Sequence, residues 1–398
     1  MFKKRGLLKE ERGFFARHKL IIAITTLIGT IVGAGILGIP YVIAKAGFLY
    51  GLLLITLLGA AFVFLNLFTG EIVLRTKQQH QLSGYANKYL GSTGKKIMTF
   101  SMAVVIYGAL TAYLIGEGAT WHSLLGIGSP LLYSLVFFAI ATFIVYRGIK
   151  ATGKAELILI SLLFLVVILM GIFSFDQISS SHLAAGFNPA YFFLPYGVIL
   201  FALMGSPGVP EMQEVLGKNK KLLKRAVIIG SVIPIILYLL FTVLIVGIVG
   251  LENFDLLEPN QRIATIALQM YTQPLLGFFA NLLAILAMFT SYLTLGTALT
   301  EVYEYDYKLS HQTAFLLTFP LPLLIVLFNL TTFFTVIGIS GAVAGGLEGI
   351  LIILMYWKAK LLGDRKPEYA LRKNLVLGTV IIIMFALGII YQLWSTFF

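Results

Sequence analysis

The stretch Gly29-Thr-Ile-Val-Gly-Ala-Gly-Ile-Leu-Gly-Ile-Pro40 interrupts the first long apolar segment of the chain with four glycines and a proline. Glycine lets another group approach the backbone closely, and proline removes a backbone donor and stops a helix. A second apolar segment carries a similar interruption, Phe201-Ala-Leu-Met-Gly-Ser-Pro-Gly-Val-Pro-Glu211. What the two interruptions mean depends on the segments around them.

The composition places both interruptions in a membrane. Of the 398 residues, 59% are hydrophobic and 12% are charged, and the mean hydropathy is +0.94. A soluble domain is about a quarter charged, so the chain is not an ordinary soluble globule, a disordered chain or a collagen-like fibre. The apolar runs lack the period-two alternation of a membrane barrel. The sequence therefore predicts an all-α integral membrane protein. The absence of cysteine excludes disulfides and thiolate chemistry.

Eleven apolar segments are long enough to cross a bilayer, which takes about 20 mostly apolar residues. The candidate spans, numbered 1 to 11 in chain order, are residues 20–45, 48–74, 97–122, 130–146, 156–174, 190–216, 226–250, 273–300, 312–328, 332–357 and 373–396. Span 1 is too long for a signal peptide and no cleavage site follows it, so we expect it to be retained.

The basic residues predict the orientation. They concentrate in residues 1–19, 75–96, 147–154, 217–225 and 358–373, with Lys308. These segments hold 27 of the 29 Lys and Arg residues, and each follows an even number of spans. Basic residues favour cytoplasmic loops, so we expect a cytoplasmic N-terminus and an extracytoplasmic C-terminus in the cell membrane. The net charge of +12 then marks topology, and no nucleic-acid partner is expected.

The interrupted spans occupy matching places in two halves of the chain. Residues 1–19 form a cytoplasmic segment, residues 20–174 hold spans 1–5, residues 190–357 hold spans 6–10, and residues 373–396 form span 11. Each interrupted span begins a block of five. Because five is odd, the second block runs antiparallel to the first, which makes a five-plus-five inverted repeat with one extra C-terminal helix.

Breaks in helices 1 and 6 would create a binding site near the middle of the membrane. A broken helix leaves unpaired N–H and C=O groups that hydrocarbon cannot satisfy. A zwitterion can satisfy both kinds, and paired interruptions in two halves are typical of transporter sites. The alternative is helix packing, because Gly29-x-x-x-Gly33 is also a small-residue packing motif. The matching positions favour the binding site.

Four stretches resemble a known family. They are Gly29–Pro40, Ala112–Gly118, Ala226–Tyr238 and Thr290–Gly296. Over roughly residues 20–395 the chain resembles the amino acid/auxin permease family of the amino acid–polyamine–cation superfamily, and it looks closest to the aromatic amino acid permease branch. The resemblance implies the LeuT-type fold with discontinuous helices 1 and 6, and amino acid uptake.

The resemblance also implies a substrate site. Its residues are Thr30, Gly33, Ala34, Gly35, Tyr113, Phe201, Ala202, Met204, Gly205 and Thr294. The amides of Ala34 and Gly35 would receive the substrate carboxylate. The carbonyls of Phe201, Ala202 and Met204 would receive the amino group. Side-chain selectivity would come from Tyr113, Phe201, Met204 and Thr294.

A sodium ion between helices 1 and 8 is implied in the same way. Its ligands would be the carbonyls of Gly29 and Val32 and the hydroxyls of Thr290 and Ser291, and such an oxygen cage suits a hard cation. The alternative is that these hydroxyls bond back to their own helix. Ile36 stands where some relatives use an asparagine for a second sodium, so no second site is expected. No other cofactor is expected.

Proton coupling is the other possibility, because ionisable residues inside a membrane are functional candidates. Glu348 in span 10 lies deepest in the sequence pattern and is the preferred carrier. Glu117 in span 3 is the second candidate, although a position beside His122 would also suit a solvated side chain. Glu211 in span 6 is the third candidate, although it better fits an inner gate or a pair with a loop cation.

The sequence therefore predicts a secondary transporter that couples sodium or protons to symport of neutral apolar or aromatic amino acids by alternating access. An uncoupled exchanger or facilitator is the alternative. A channel and an intramembrane enzyme are disfavoured, because there is no filter-like repeat and the five histidines lie in loops or at span ends. The expected partners are the amino acid, the coupling cation and the lipid bilayer, and the protein is expected to be a monomer.

Overall fold

The computed structural model describes residues 19–148 and 153–397, and in these ranges the chain forms helices and loops without strands. The basic residues of 1–18 and 149–152 lie outside the described ranges. The longer helices are α1 (Lys19–Ile31), α2 (Gly35–Ala46), α3 (Phe48–Leu74), α4 (Leu82–Leu125), α5 (Pro130–Tyr146), α6 (Gly153–Phe173), α7 (Leu194–Leu203), α8 (Gly208–Leu216), α9 (Leu223–Leu256), α10 (Ala264–Tyr271), α11 (Pro274–Asp306), α12 (His311–Thr318), α13 (Pro320–Leu327), α14 (Phe333–Ile339), α15 (Gly346–Leu362) and α16 (Leu375–Phe397).

Long apolar helices dominate the described chain. Six helical segments are long and apolar enough to cross a membrane, and α1 with α2 makes a seventh if the bent pair is one span. Three further apolar helical segments are shorter, at Pro130–Tyr146, Ile160–Phe173 and His311–Leu327. The chain is therefore an all-helical integral membrane protein.

Two observed helices have the bounds of predicted spans, and a third begins well before its predicted span. Helices α3 and α5 have the bounds expected for spans 2 and 4. Helix α4 begins at Leu82, so part of the basic segment 75–96 is helical rather than loop. The chain turns at Gly91, whose φ of 78° suits glycine. Leu82, Tyr85 and Tyr89 before this turn are buried at helical spacing, which explains the extra helix.

The segment of span 10 changes its helical type in the middle. Helix α14 passes through a π-helical turn, Ser340–Gly345, into α15. Such turns are rare and occur often at functional sites. Here the turn packs against α7, where a Cβ built on Gly341 would overlap the backbone at Gly197 and Phe201. Only glycine at position 341 allows this approach.

Ion pairs join the loops at one end of the helix bundle. Lys88 contacts Asp364 at 2.6 Å, and the buried carboxylate of Glu71 contacts Arg75 at 2.8 Å and Lys360 at 2.6 Å. The segment after α15 is thereby tied to the ends of α3 and α4. This end carries basic segments that the sequence assigned to a common face.

Segment 251–272 covers the other end, beside α2. Lys45 contacts Asp255 at 2.8 Å, and Arg262 donates to the hydroxyl of Tyr41 at 3.0 Å. The segment includes a 3₁₀ turn, Pro259–Arg262, and helix α10. Gln269 of α10 accepts a hydrogen bond from Ser123 of α4 at 3.0 Å. This end is therefore closed by polar contacts.

Candidate functional site

The first interruption separates α1 from α2. Helix α1 ends at Ile31, α2 begins at Gly35, and the two axes are bent by 54°. Val32 and Ala34 between the helices are buried. Val32 donates to the Ile28 carbonyl at 2.7 Å, and Leu37 donates to the Ala34 carbonyl at 3.0 Å. The remaining end groups, which are the carbonyls of residues 29–31 and the amides of residues 35–36, have no partner within their own helices, so the break presents both donors and acceptors within the protein interior.

The second interruption separates α7 from α8. Helix α7 ends at Leu203 and α8 begins at Gly208. The intervening residues Met204, Gly205 and Ser206 are buried. This non-helical backbone is enclosed by protein, the one setting in which such backbone is tolerated at membrane depth.

The two interruptions touch each other. A Cβ built on Gly35 would lie 2.6 Å from the Cα of Ala202 and 2.7 Å from its Cβ. A Cβ on Gly205 would overlap the side chain of Ile31, and one on Gly208 would overlap Thr30. The glycines of both motifs therefore serve close contact between the broken helices. The packing and binding interpretations of these glycines are compatible, because close packing brings the two sets of free backbone groups together.

Tyr238 of α9 joins the broken helices. It is fully buried, and its hydroxyl contacts the carbonyl oxygens of Ile31 at 3.0 Å and Ala202 at 2.8 Å. Tyr238 is the last residue of the stretch Ala226–Tyr238, and the sequence alone did not predict this role. The signal that could have identified it is a hydroxyl in an apolar span that must find a partner.

A buried polar network supports the second interruption. Ser206 donates to the side-chain oxygen of Asn66 at 3.0 Å, and the amide of Asn66 donates to Ser231 at 3.1 Å. All three side chains are buried. Asn66 on α3 and Ser231 on α9 thus hold the non-helical segment. Neither residue is among the predicted site residues, although Ser231 lies within the stretch Ala226–Tyr238. A polar residue in the middle of span 2 was the available signal.

Tyr113 and Ser291 meet beside the first interruption. A Cβ built on Gly33 would lie 3.5 Å from the Tyr113 hydroxyl and 3.7 Å from the Ser291 hydroxyl, and these two hydroxyls interact with each other. Tyr113, a predicted substrate residue, and Ser291, a predicted sodium ligand, therefore lie side by side next to Gly33. The structure brings spans 1, 3 and 8 together there.

Three predicted threonines bond within their own helices. Thr30 donates to the carbonyl of Thr26 at 2.8 Å and is exposed. Thr290 donates to the carbonyls of Leu286 at 3.1 Å and Ala287 at 3.2 Å. Thr294 is exposed and donates to the carbonyl of Thr290 at 3.0 Å. A sodium ion bound at Thr290 would use the lone pairs of the Thr290 hydroxyl oxygen, which the bonds to its own helix leave free.

Phe201 and Met204 lie against the π-helical turn. The sulfur of Met204 would be 3.0 Å from a Cβ built on Gly345, and Phe201 is half-buried beside Gly341. Glu348, the preferred proton carrier, is 3% exposed one turn after Gly345. The structure thus places the predicted side-chain pocket next to the segment that holds this carboxyl group.

The other two candidate carboxyl groups have opposite environments. Glu117 is fully buried, not solvated, and neither of its oxygens makes a well-formed hydrogen bond to any described residue. The indole of Trp121, one turn along, is the polar group that approaches it. Glu211 is exposed on α8. Glu117 lies one turn from Tyr113 on α4, so the two side chains share a helix face.

A cavity lies on the other side of the first interruption. It is lined by Gly33 and Ala34, by Leu163 and Phe241 of α6 and α9, and by Thr265 and Met288. The space open to water in it is about 30 Å³, which holds a water or two. A cavity of this size is too small for an amino acid.

Comparison with known proteins identifies the family. The profile of the tryptophan/tyrosine permease family matches residues 16–395. The chain belongs to the tryptophan/tyrosine permease family. It is therefore a permease and not an enzyme.

Two relatives illustrate the range of the family. This permease is 25% identical to the tyrosine-specific transport system 1 of Haemophilus influenzae, over 92% of this chain and 94% of the relative. It is 26% identical to glutamine transporter 2 of Aliivibrio fischeri, over 82% of this chain and 85% of the relative.

A solved structure shares the fold of the permease. The crystal structure of MhsT in complex with L-phenylalanine matches with a TM-score of 0.67 and 16% sequence identity, covering 95% of this chain and 98% of that chain. MhsT is a LeuT-fold transporter. The permease therefore shares the LeuT-type fold.

Proposed function

We propose that this permease is a cation-coupled symporter of neutral aromatic or apolar amino acids that works by alternating access. The contact between Gly35 and Ala202 carries the proposal, because it brings the free backbone groups of two broken helices together in the membrane interior. Eleven spans, arranged as a five-plus-five inverted repeat plus α16, complete the proposed architecture. The N-terminus is cytoplasmic and the monomer acts in the cell membrane.

Each end of an amino acid has a complementary backbone group at the site. The amides of Ala34 and Gly35 begin α2, where the helix dipole favours a carboxylate. The carbonyls of Phe201, Ala202 and Met204 end α7, where the dipole favours an ammonium group. The carbonyl of Ala202 accepts from Tyr238 at 2.8 Å and that of Phe201 accepts from the Met204 amide at 3.4 Å, so these two oxygens would receive the ammonium group through their second lone pairs.

The side chains around this backbone site select the substrate. Tyr113 and Met204 are buried and Phe201 is half-buried, and these residues favour an apolar or aromatic side chain over a charged one. A relative named for tyrosine supports an aromatic substrate. Another relative is named for glutamine, so glutamine is the polar neutral amino acid to compare with the aromatic ones in a binding experiment.

Sodium and protons have separate candidate sites. The sodium site consists of the Gly29 and Val32 carbonyls with the Thr290 and Ser291 hydroxyls, and the position of Ser291 beside Gly33 supports it. The proton site is Glu348, with Glu117 as the second candidate, and the burial of both carboxyl groups supports it. In either case coupling follows if ion and substrate stabilise the same state.

Equilibrium binding tests the proposed substrate class. Purified permease is titrated with radiolabelled phenylalanine, tyrosine, tryptophan, glutamine and lysine in sodium chloride and in choline chloride, at two pH values. Saturable binding of at least one aromatic amino acid, without binding of lysine, supports the proposal. Lysine binding, or no saturable binding of any of them, overturns it.

A further inference from the structure

The side chain of Tyr238 contacts the ends of two helices, α1 and α7. Its hydroxyl contacts the carbonyl oxygen of Ile31, the last residue of α1, and that of Ala202, one residue before the end of α7. The two carbonyls are 171 positions apart in the sequence and meet at a single oxygen atom. Tyr238 is fully buried, so water does not compete for this contact.

Carbonyls at such helix ends need a donor. They have no partner within their own helix, and they carry the partial negative charge of the helix dipole. In the membrane interior an unsatisfied carbonyl is costly. A tyrosine hydroxyl has one proton, and at 3.0 and 2.8 Å from the two oxygens it can share that proton between them in a three-centre hydrogen bond. Both carbonyls then depend on the same donor.

Helix α9 is held firmly against both broken helices. A Cβ built on Gly230 would lie 3.0 Å from the Cβ of Leu27, so α9 runs close beside α1. One residue further on, Ser231 accepts the bond from Asn66, which in turn accepts one from Ser206. The Tyr238 hydroxyl is therefore presented by a helix with independent contacts to both interruptions.

We propose that Tyr238 is a positioning residue for substrate binding. Its hydroxyl holds the ends of α1 and α7 at the separation at which their free backbone groups receive the two ends of an amino acid. The inference rests on the proposed function, since it assumes that the substrate binds between these helix ends. It assigns a task to a side chain on α9, which contributes no backbone group to the site.

Loss of the Tyr238 hydroxyl should change the affinity for the substrate and leave the turnover rate unchanged. The hydroxyl links helices of spans 1, 6 and 7, and the proposal takes these three spans to move as one body in alternating access, so that the link persists in both states. Losing it should weaken binding without slowing the rearrangement. A side chain with a merely structural role would instead lower the amount of active protein, with KM unchanged.

The test compares Tyr238→Phe with Tyr292→Phe in the same chain. Tyr292 is also fully buried, and its hydroxyl pairs with Thr142 at 2.9 Å between α11 and α5. Uptake into proteoliposomes gives KM and kcat, with the amount of folded protein measured by size exclusion and thermal unfolding. We expect KM to rise about tenfold in Tyr238→Phe, the effect of losing one buried hydrogen bond, with kcat changed less than about twofold. Tyr292→Phe should leave KM unchanged.

A second variant keeps the test independent of folding losses. Replacing Tyr238 with 4-aminophenylalanine restores a donor with two N–H groups, and its KM should stay within about twofold of the parent. An unchanged KM in Tyr238→Phe contradicts the proposal, and so does a KM raised tenfold in the 4-aminophenylalanine variant. If the parent itself shows no saturable amino acid uptake, the proposed function fails instead.

Discussion

Gly35 of α2 lies directly against Ala202 of α7, because a Cβ at position 35 would come within 2.6 Å of the Ala202 Cα. The obstructing atom belongs to the backbone and cannot rotate away. The two interruptions can therefore meet only if position 35 is glycine. This relationship connects the glycine motif of the sequence to the arrangement of the proposed site.

Replacing Gly35 should therefore damage binding before it damages the fold. Gly35→Ala forces α2 and α7 apart, and overpacking of this kind costs about 1–3 kcal/mol. We expect amino acid affinity to fall at least about tenfold, measured by equilibrium binding. The control is Gly171→Ala, where the added Cβ would lie 3.8 Å from Leu244, an ordinary contact. If Gly35→Ala and Gly171→Ala bind the amino acid with equal affinity, Gly35 does not belong to the binding site.

Asn66 should be important for stability as well as transport. Asn66→Ala leaves the hydroxyls of Ser206 and Ser231 without the amide between them, and each buried polar group left unpaired costs about 1–3 kcal/mol. We expect a clearly lower melting temperature together with reduced uptake. The comparison is Asn253→Ala, because the side-chain amide of Asn253 donates within its own helix, to the carbonyl of Val249 at 2.8 Å. If Asn66→Ala melts no lower than Asn253→Ala, the network is not stabilising.

The sodium site predicts a specific loss of ion response. Thr290→Ala combined with Ser291→Ala removes both side-chain ligands, and sodium-driven accumulation should fall at least about tenfold because two ligands of a hard cation are lost. Thr297→Ala is the control, since Thr297 makes the same kind of bond to its own helix at Leu293. A parent protein that responds only to a pH gradient would show that this sodium site does not drive transport.

The proton site predicts loss of accumulation with retention of exchange. Glu348→Gln preserves the size of a buried side chain but cannot carry a proton, so pH-driven accumulation should disappear while counterflow of labelled substrate continues. Glu252→Gln, at an exposed position in segment 251–272, should accumulate substrate like the parent. Normal pH-driven accumulation in Glu348→Gln would exclude this carboxyl group, and the same assay on Glu117→Gln would then test the second candidate.

Much of the fold was predictable because hydrocarbon imposes one strong requirement on the chain. Apolar runs must pair their backbone groups internally, so spans such as 48–74 and 130–146 could be bounded from hydropathy alone. The helical part of segment 75–96 was missed because its residues before Gly91 are mixed in polarity and bury only one face. The π-helical turn was missed because its packing against α7 depends on a distant segment.

The site was predictable only where the backbone itself is unusual. Glycine and proline mark the two interruptions in the sequence, and in the structure helices end and restart beside them, at Ile31 and Gly35 and at Leu203 and Gly208. Tyr238 and Ser231 could not be assigned, because a sequence does not show which faces of spans 2, 6 and 7 meet. The burial of Glu117 was likewise not evident from a position near the end of a span.

Accumulation of substrate in proteoliposomes under imposed ion gradients distinguishes cation-coupled symport from facilitated diffusion and exchange. Radiolabelled phenylalanine, tyrosine and tryptophan are supplied under an inward sodium gradient, an inward proton gradient, or neither. We expect at least one aromatic amino acid to accumulate above its external concentration under one of the two gradients, at a rate that saturates with substrate concentration. An ionophore that dissipates that gradient should abolish the accumulation. Equilibration without accumulation under either gradient would contradict cation-coupled symport and leave a facilitator or exchanger.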